Sequence, residues 1–238
     1  MKIGYSIALL IVLFLAALAV SGCSGGSPPA APCPTPASPA GTPAPAATWS
    51  AVASPATVDQ LFHLDALGWY SYRANITSGG VNLSSAYRFE HSAETYGGVA
   101  AKHTRAIAND TVTGLESVDD LYASAADSRS LGGVARSFLY GMPTGEISIP
   151  AGQGMNYLDI DLAHQARANS GAVLTRSGDE KVTVDGKTYS CTRYIYTTEG
   201  VTYTAWYTPQ APAPVKVAWV DQGIGSTAYM TLELLDWG

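Results

Sequence analysis

The sequence predicts a mainly β protein: a single antiparallel sheet connected as a meander, with at most one or two short helices. Three observations indicate this class. Apolar and polar residues alternate with a period of two in one segment after another. Turn signals recur roughly every 8–12 residues, which is typical of short antiparallel strands, and no segment carries a clear long helical periodicity. From this spacing we expect about eight to ten strands.

A first hairpin is predicted near the start of the patterned sequence. Trp69–Ile76 and Val81–Glu90 alternate with a period of two on either side of the turn signal Ser78-Gly79-Gly80. Upstream, Thr57 and Gln60 have capping-box spacing. That spacing predicts either a short helix or a coil leading into the first strand.

Four further strands are predicted in the middle of the chain. Gly97-Gly98 and Asn109-Asp110 are the turn signals that divide the first two of them. Leu121 and Ala125 also have the spacing of a helical turn, but the regular turn signals favour a strand there. The predicted strands are Val99–Ala108, Val118–Ser124 and the weaker Ala135–Tyr140 and Glu146–Ile149.

The clearest local prediction is a hairpin around Asp185-Gly186. These two residues have the chemistry of a two-residue type I′ turn, which requires positive φ at both positions. The turn at Glu199-Gly200 then predicts a three-stranded meander. Pro209, Pro212 and Pro214 cannot donate to a strand ladder, so that stretch must leave the sheet. The predicted strands are Lys181–Val184, Lys187–Thr197, Val201–Thr208, Val215–Val220 and Thr227–Leu235.

The N-terminus predicts export. Ile7–Val20 is an unbroken apolar run of 14 residues, whereas about 20 are needed to span a bilayer as a helix. With Lys2 before it and small residues after it, the run is typical of a signal peptide. Val20-Ser21-Gly22-Cys23 resembles the lipobox of prokaryotic lipoproteins. The resemblance implies cleavage before Cys23 and a diacylglyceryl-type lipid on its thiol; an ordinary secretory signal is the alternative.

A spacer and one domain are predicted to follow the signal peptide, which ends at residue 22. Ser24–Ala56 consists mainly of Pro, Ala, Ser, Gly and Thr and has no charged residue. Such a segment favours extended polyproline II structure and cannot form a core. We therefore predict a lipidated tether over residues 23–56 and one antiparallel β domain over residues 57–238.

Charge and cysteine usage restrict the partners. The net charge is −6, and losing Lys2 with the signal peptide would make it one unit more negative. An acidic surface repels nucleic acid, so we expect no nucleic acid partner. Cys33 and Cys191 could form a disulfide in an oxidising compartment, but that bond would join a flexible tether to a strand. We expect Cys191 to be a small buried residue instead.

The C-terminal part resembles a known envelope fold. Lys181–Cys191, Trp206–Pro209 and Pro214–Val217 place a strand, turn and strand before an aromatic strand, a proline break and a further strand. This order is similar to the late strands of the Lol-type lipoprotein carriers. The resemblance implies a strongly curved half-barrel sheet whose concave face can bind acyl chains. The chain differs from those carriers in its own lipid anchor and in lacking a convincing helix to fill the concave face.

The common catalytic motifs are absent. No metalloprotease, nucleophile-elbow, CxxC or P-loop spacing occurs, so we expect no enzyme, no cofactor and no metal site. Asp159, Asp161 and His164 come nearest to a cation site, but we interpret them as solvated loop or edge-strand charges, which are common on β surfaces. His63, His91 and His103 are scattered and are interpreted as polar strand or turn residues.

Two other residue sets bear on function. Three N-glycosylation sequons begin at Asn75, Asn82 and Asn109, and they matter if the source organism glycosylates its envelope, as archaea do. The aromatic residues are either sheet core or the lining of a groove for lipid or glycan. They are Trp69, Tyr70, Tyr72, Tyr87, Phe89, Tyr189, Tyr194, Tyr196, Tyr203, Trp206, Tyr207 and Trp219.

Together these features predict a membrane-anchored envelope lipoprotein. Its β domain is expected to bind a hydrophobic or amphipathic ligand. The alternative is a structural or adhesive surface module that binds other envelope components and takes no small ligand. A ligand, a partner or the protein's own loops must cover a large apolar sheet face, and residues 131–171 are the internal candidate.

Overall fold

The structure is a computed structural model of the 238-residue chain. It describes residues 49–78, 81–110, 113–152, 171–198, 201–221 and 228–238. The described residues form twelve strands, one four-residue helix α1 (Val58–Leu61) and a 3-10 turn at Leu64–Ala66. The strands are β1 (Ala56–Thr57), β2 (Trp69–Ser78), β3 (Val81–Tyr96), β4 (Val99–Asp110), β5 (Leu115–Ser124), β6 (Ser130–Leu139), β7 (Met142–Ile149), β8 (Val173–Val184), β9 (Lys187–Thr198), β10 (Val201–Tyr207), β11 (Lys216–Asp221) and β12 (Ala228–Trp237).

All twelve strands belong to one antiparallel sheet. Their order is β1-β8-β9-β10-β11-β12-β2-β3-β4-β5-β6-β7, so the sheet is open, with β1 and β8 at one end and β7 at the other. The predicted class, a mainly β protein with one antiparallel sheet and a short helix, is therefore confirmed. Most neighbours are joined by hairpins. The pairing of β12 with β2 and of β1 with β8 joins strands distant in sequence.

The alternation in β2 produces the core directly. Tyr70, Tyr72 and Ala74 are buried, and they belong to one apolar cluster with Phe89 of β3 and Leu234 of β12. The intervening side chains of β2 lie on the other face, because successive residues of a strand point to opposite faces. A second cluster forms around Tyr194 and Tyr207 of β9 and β10.

The sheet bends strongly enough to bring distant strands together. Arg73 on β2 forms an ion pair of 3.1 Å with Asp185, in the β8–β9 turn. Four strands, β9 to β12, lie between β8 and β2 in the sheet order. A flat sheet with a strand spacing of roughly 4.8 Å would separate them by more than 20 Å.

The predicted turns have the expected backbone. Asp185 and Gly186 both have positive φ, 48° and 77°, as a type I′ turn requires. Gly97 and Gly98 have φ of 56° and 79° between β3 and β4. At the start of the domain, the Thr57 N–H donates to the Gln60 side chain at 3.0 Å, so the capping-box spacing does begin a short helix.

The strand favoured for residues 118–124 is confirmed as β5, and the two weak strands occur as the longer strands β6 and β7. Two details differ from the prediction. The structure has twelve strands rather than the expected eight to ten, and the short β1 was not predicted. Strand β8 begins at Val173, well before the predicted Lys181, because pairing with a neighbouring strand outweighs a weak local pattern. Within residues 131–171, the candidate internal cover, residues 131–149 are mostly sheet, and residues 153–170 lie outside the described ranges.

Residues 49–56, which we assigned to the end of the tether, contact the sheet instead. The Trp49 N–H donates to the Pro209 carbonyl at 2.8 Å, and its indole stacks on His63 at 4.6 Å. The Tyr194 hydroxyl donates to the carbonyl of Val52 at 2.7 Å. Ala56 is fully buried. The domain therefore begins at or before Trp49, because these residues bury apolar surface that a free spacer would leave in water.

Candidate functional site

Strands β2 to β6 carry two faces of different chemistry. The aromatic face is the one that carries Tyr72 and Phe89, and the charged face is the one that carries Arg73 and Asp120. Residues paired in register on neighbouring strands share a face. On the aromatic face, one row across the sheet is Tyr70, Phe89, Ala106, Asp119 and Ala135, and the next row is Tyr72, Tyr87, Ala108, Ser117 and Ser137.

Large aromatic side chains occupy the β2 and β3 positions of these rows. Their rings pack against one another: Tyr70 lies 5.5 Å from Phe89, and Tyr72 lies 5.3 Å from Tyr87 between centroids. Tyr72 also stacks on Phe89 at 5.9 Å. These side chains form an apolar wall whose polar atoms are confined to the tyrosine hydroxyls.

Strand β4 carries small residues where its neighbours carry large or polar ones. Ala106 and Ala108 lie between Phe89 and Tyr87 on one side and Asp119 and Ser117 on the other. An alanine extends only one carbon above the backbone, so the face is lower along β4 than along β3. We call this strip the β4 groove, bounded by Tyr87 and Phe89 and by Ser117 and Asp119. Phe89 and Ala106 are buried in the core cluster around Tyr70, whereas Tyr87 and Ala108 are half-buried, so the accessible part of the groove lies at Ala108.

Asp119 places a carboxyl group at the edge of the β4 groove. The residue is 1% exposed. The Ser117 hydroxyl donates to Asp119 Oδ2 at 3.4 Å, and no donor among the described residues reaches Oδ1. The pKa of this carboxyl is raised to about 7, mainly by burial. The hydrogen bond from Ser117 lowers the pKa, and the negative charge of Asp120 raises it further. A buried carboxyl with one unbonded oxygen is costly unless a donor or cation meets it.

The charged face at the same level carries an ion-pair row. The His103 ring lies between two carboxylates, with Nδ1 2.8 Å from Glu94 Oε1 and Nε2 3.0 Å from Asp120 Oδ1. Arg136 donates to Asp120 Oδ2 at 2.7 Å and to Glu146 Oε2 at 3.0 Å. Burial acts to raise the pKa of Asp120, but the hydrogen bonds from Arg136 and His103 lower it by more. The pKa of Asp120 therefore lies below its ordinary value.

One tyrosine packs against the histidine of this row, and a second packs against the first. Tyr122 stacks on His103 at 4.7 Å and on Tyr96 at 4.2 Å. Burial and the negative charges of Glu94 and Asp120 raise the pKa of Tyr122. Each of the three carboxylates of the row contacts Arg136 or His103, and no group of three metal-ligating side chains occurs in the described part of the chain. This row therefore stabilises the pairing of β3 to β7.

The residues singled out from sequence are distributed unevenly. Cys23, the lipidation candidate, lies outside the described ranges, as do Asp159, Asp161 and His164. Cys191 is a buried free thiol, so it forms no disulfide; burial, with a contribution from Glu180, raises its pKa to about 11.

Among the sequons, Asn82 and Asn109 are exposed. Asn75 is half-buried, and its side chain accepts a hydrogen bond from Ser84 and donates one to Thr231. Glycosylation of Asn75 would have to break these contacts, whereas the other two side chains face solvent. All three remain predicted modification sites.

The histidines lie in different surroundings, as their scatter in sequence indicated. His63 stacks on Trp49, and His91 Nδ1 lies 3.3 Å from the Thr104 hydroxyl. His103 and Asp119 were not recognised as site residues. One sequence signal could have identified His103. The Gly97-Gly98 turn sets the β3–β4 register, and this register pairs His103 with Ser92, two residues from Glu94.

Comparison with known proteins adds little to these observations. No family model and no curated protein matches the chain. Among solved structures, a DUF1329 family protein from Desulfovibrio piger is similar, with a TM-score of 0.30 and 10% sequence identity. The match covers 76% of this chain and 88% of that chain. Both similarity values are low, and the site described above rests on this chain's own residues.

Proposed function

We propose that this chain is a cell-envelope lipoprotein, anchored through a lipid on Cys23, whose sheet binds a hydrophobic or amphipathic ligand. The observation that carries the binding proposal is the β4 groove. It combines an aromatic wall, an alanine floor and a single polar edge on one face of the sheet. Ligand sites are commonly apolar surfaces with a few placed polar groups, and this strip has that composition.

The location of the described helices supports this proposal. Helix α1 contributes Leu61 to the cluster around Tyr194 and Tyr207, which belongs to strands β9 and β10. The 3-10 turn contributes Leu64 to the cluster around Tyr70. The cluster around Tyr70 also includes Phe89 and Ala106, so that end of the β4 groove is core, whereas neither cluster includes Ala108, Ser117 or Asp119. The described helices do not cover this part of the sheet face, which makes it a candidate ligand site.

The anchoring part of the proposal rests on the sequence before Trp49. Ile7–Val20 is shorter than the roughly 20 apolar residues that a membrane-spanning helix needs, and the lipobox-like Val20–Cys23 lies at its end. No helix within the described ranges is long and apolar enough to cross a membrane. A covalent lipid on Cys23 would attach the sheet to the bilayer through a spacer of about thirty residues. The proposal assigns no catalytic step to the domain.

Anchoring is tested by Cys23→Ala in the full chain. We expect the variant to lose its lipid mass and either keep its N-terminal segment or leave the membrane fraction, since one thiol carries the whole attachment. Intact-mass spectrometry of both proteins measures this. A wild-type N-terminus without modification, on a protein that fractionates with the aqueous phase, would refute the anchor.

Ligand binding is tested by filling the β4 groove. Ala108→Trp places an indole on the groove floor, and Ala86→Trp places the same side chain on the charged face, in the neighbouring strand. Both alanines are half-buried, so the two variants are matched. The full chain, kept in a nonionic detergent, is titrated with a fluorescent fatty acid. Detergent micelles take up the same amount of this probe in every titration, so that background cancels when the variants are compared.

We expect saturable binding to wild type and to Ala86→Trp, and at least a tenfold loss in Ala108→Trp, equivalent to about 1.4 kcal/mol. Organic extraction of the purified proteins, followed by mass spectrometry, should give a bound molecule that only Ala108→Trp lacks. Equal titrations for all three proteins, with no extracted molecule, would reject the ligand-binding function.

The second candidate is a surface module that binds other envelope components. Its support is β7, the edge strand of the sheet that the described residues form, in which every residue but Ile149 is exposed. Ile147 is 70% exposed and Met142 63%, and the adjacent turn residue Tyr140 is 74% exposed. Exposed apolar residues on an unpaired edge are suited to contacts with another protein. Loss of envelope association after Ile147→Lys, with groove binding intact, would favour this function.

A further inference from the structure

We propose that β7 is a self-association edge, through which two copies of this chain pair as antiparallel neighbours about a two-fold axis at Ile147. The inference concerns the edge named for the surface module and goes beyond that function, because it names a second copy of this chain as the partner. The observation behind it is a contrast between the two ends of the sheet that the described residues form. One end carries charges that discourage strand addition, and the other carries apolar side chains.

The β8 end of the sheet has the features that discourage pairing with another strand. Strand β1 pairs with β8 only at Val173 and Leu174, so the rest of β8 forms this end among the described residues. That part contains a register shift between Arg176 and Gly178. Bulges and charged side chains guard an edge, because an added strand would have to distort or bury the charges. The exposed charged residues of β8 are Arg176, Asp179, Glu180 and Lys181.

The β7 end lacks such charges along residues 145–149. The only charged residue of β7 is Glu146, and Arg136 on β6 neutralises it at 3.0 Å. Pro143 and a register shift against β6 lie near the start of β7, so the stretch from residue 145 onward is regular. This end also exposes the most apolar surface. The three most exposed large apolar side chains of the described residues lie in the β6–β7 hairpin: Tyr140, Met142 and Ile147.

The sequence of β7 excludes most registers for a pair of copies. Side chains alternate between the faces of a strand, so a two-fold pairing that keeps like faces together must be centred on a residue. A centre at Glu146 would place two carboxylates directly opposite each other, which is destabilising. A centre at Gly145 or at Ser148 would bring a proline, Pro143 or Pro150, opposite the paired stretch, and proline has no N–H for the ladder.

A centre at Ile147 avoids these conflicts. Glu146 then lies opposite Ser148 of the second copy, so its charge meets a hydroxyl and stays paired with Arg136. The two Ile147 side chains meet at the axis on the aromatic face and are removed from water. Such an interface uses the same patch on both copies and closes after two, since the β8 end discourages further addition.

The oligomeric state of the full chain tests the proposal. Sedimentation velocity is run in a nonionic detergent over a wide range of protein concentration, with micelles in large excess so that chains seldom share one by chance. We expect wild type to dimerise reversibly. Ile147→Lys places two ammonium groups opposite each other at the axis and should raise the dimer dissociation constant by roughly tenfold or more. Val173→Lys is the matched control, because it puts the same charge on an exposed β-branched residue at the β8 end, and it should behave as wild type.

A disulfide measurement tests the register without relying on a charged variant. Single cysteines are introduced in a Cys33→Ser background and oxidised by air with copper phenanthroline. Ile147→Cys should form a linked dimer by itself, whereas Glu146→Cys should do so only when mixed with Ser148→Cys. Cys191 is buried, and the Cys33→Ser parent measures any background that it contributes.

Three results would overturn the inference. The first is a wild type that is monomeric at every concentration, and the second is an Ile147→Lys variant that dimerises as well as Val173→Lys. The third is equal linkage of all three cysteine variants when each is oxidised alone. A monomeric wild type whose Ile147→Lys variant loses envelope association would overturn the second copy as partner and leave the surface-module function standing.

Discussion

Asp119 and Asp120 are consecutive on β5, lie on opposite faces of the sheet, and have pKa values displaced in opposite directions. Asp120 accepts hydrogen bonds from Arg136 and His103, and its pKa is lowered. Asp119 is buried with only Ser117 as a described donor, and its pKa is raised to about 7. Two identical side chains therefore have opposite effects on stability, because the pleat of the strand sends one to a basic face and the other to an apolar face.

Asp119→Asn should stabilise the protein at high pH. The ordinary pKa of this carboxyl is 3.8, and the folded state raises it to about 7. Between these values the unfolded state loses its proton and the folded state keeps it, so wild-type stability falls as pH rises through this window and then levels off. Asparagine has no charge to bury. The urea midpoint of the variant should exceed that of wild type near pH 8.

Near pH 4 the two proteins should differ little, because Asp119 is protonated in the folded wild type and resembles the amide. Urea unfolding followed by circular dichroism over this pH range measures the difference. A constant difference between the two midpoints at all pH values would show that Asp119 is not buried in its neutral form.

Asp120→Asn should have the opposite effect. The pKa of this group is depressed in the folded state, so its contribution to stability is present above the unfolded value and is lost as pH falls through the folded value. The substitution weakens the hydrogen bonds from Arg136 and His103. We expect a loss of about 1–3 kcal/mol at neutral pH, as for other hydrogen bonds to charged groups.

The exposed Asp127 provides the comparison for this variant, since its ion pair with Arg129 is long, at 3.9 Å, and open to solvent. Asp127→Asn should change the unfolding free energy by less than about 0.5 kcal/mol. Comparable losses in both variants would mean that the His103 row does not stabilise the sheet.

Gly186→Val should destabilise the domain through backbone strain. Gly186 has a φ of 77°, a conformation that a β-branched residue adopts only at a cost of about 1 kcal/mol or more. The same substitution at Gly145 is the control, because that glycine lies in edge strand β7 with no atom within 4 Å of an added Cβ. Gly145→Val should unfold at nearly the wild-type temperature. Equal unfolding temperatures for all three proteins would contradict a positive-φ turn at Asp185-Gly186.

Limited proteolysis should give a resistant core that begins close to Trp49 rather than at Thr57. From its composition we expect the proline-rich segment before it to be cut rapidly, whereas Trp49, Ser50 and Val52 are held by hydrogen bonds to the rest of the domain. A protease of broad specificity is needed, because the segment has no Lys or Arg. N-terminal sequencing identifies the boundary, and a core that starts at Thr57 would show that these contacts are weak.

Much of the fold could be predicted from local signals. The period-two alternation identified β2 and β9 closely and the start of β3, because a sheet with a buried face forces apolar residues onto every second position. The turns at Gly97-Gly98 and Asp185-Gly186 were recognisable because their backbone needs positive φ. These features depend only on residues that are neighbours in sequence.

The sheet order and the candidate site depended on distant contacts. Nothing local indicates that β12 lies between β11 and β2, or that Ala56 and Thr57 pair with β8. Asp119 and Asp120 are indistinguishable in the sequence. The register of β5 on β4 and β6 decides which of them meets Arg136 and which meets alanine, and a shift of one residue would exchange their faces. The sequence by itself determined most strands and turns, and it predicts a spacer and a lipid anchor. Tertiary structure decided which polar residue is buried, because burial results from pairing between strands far apart in the chain.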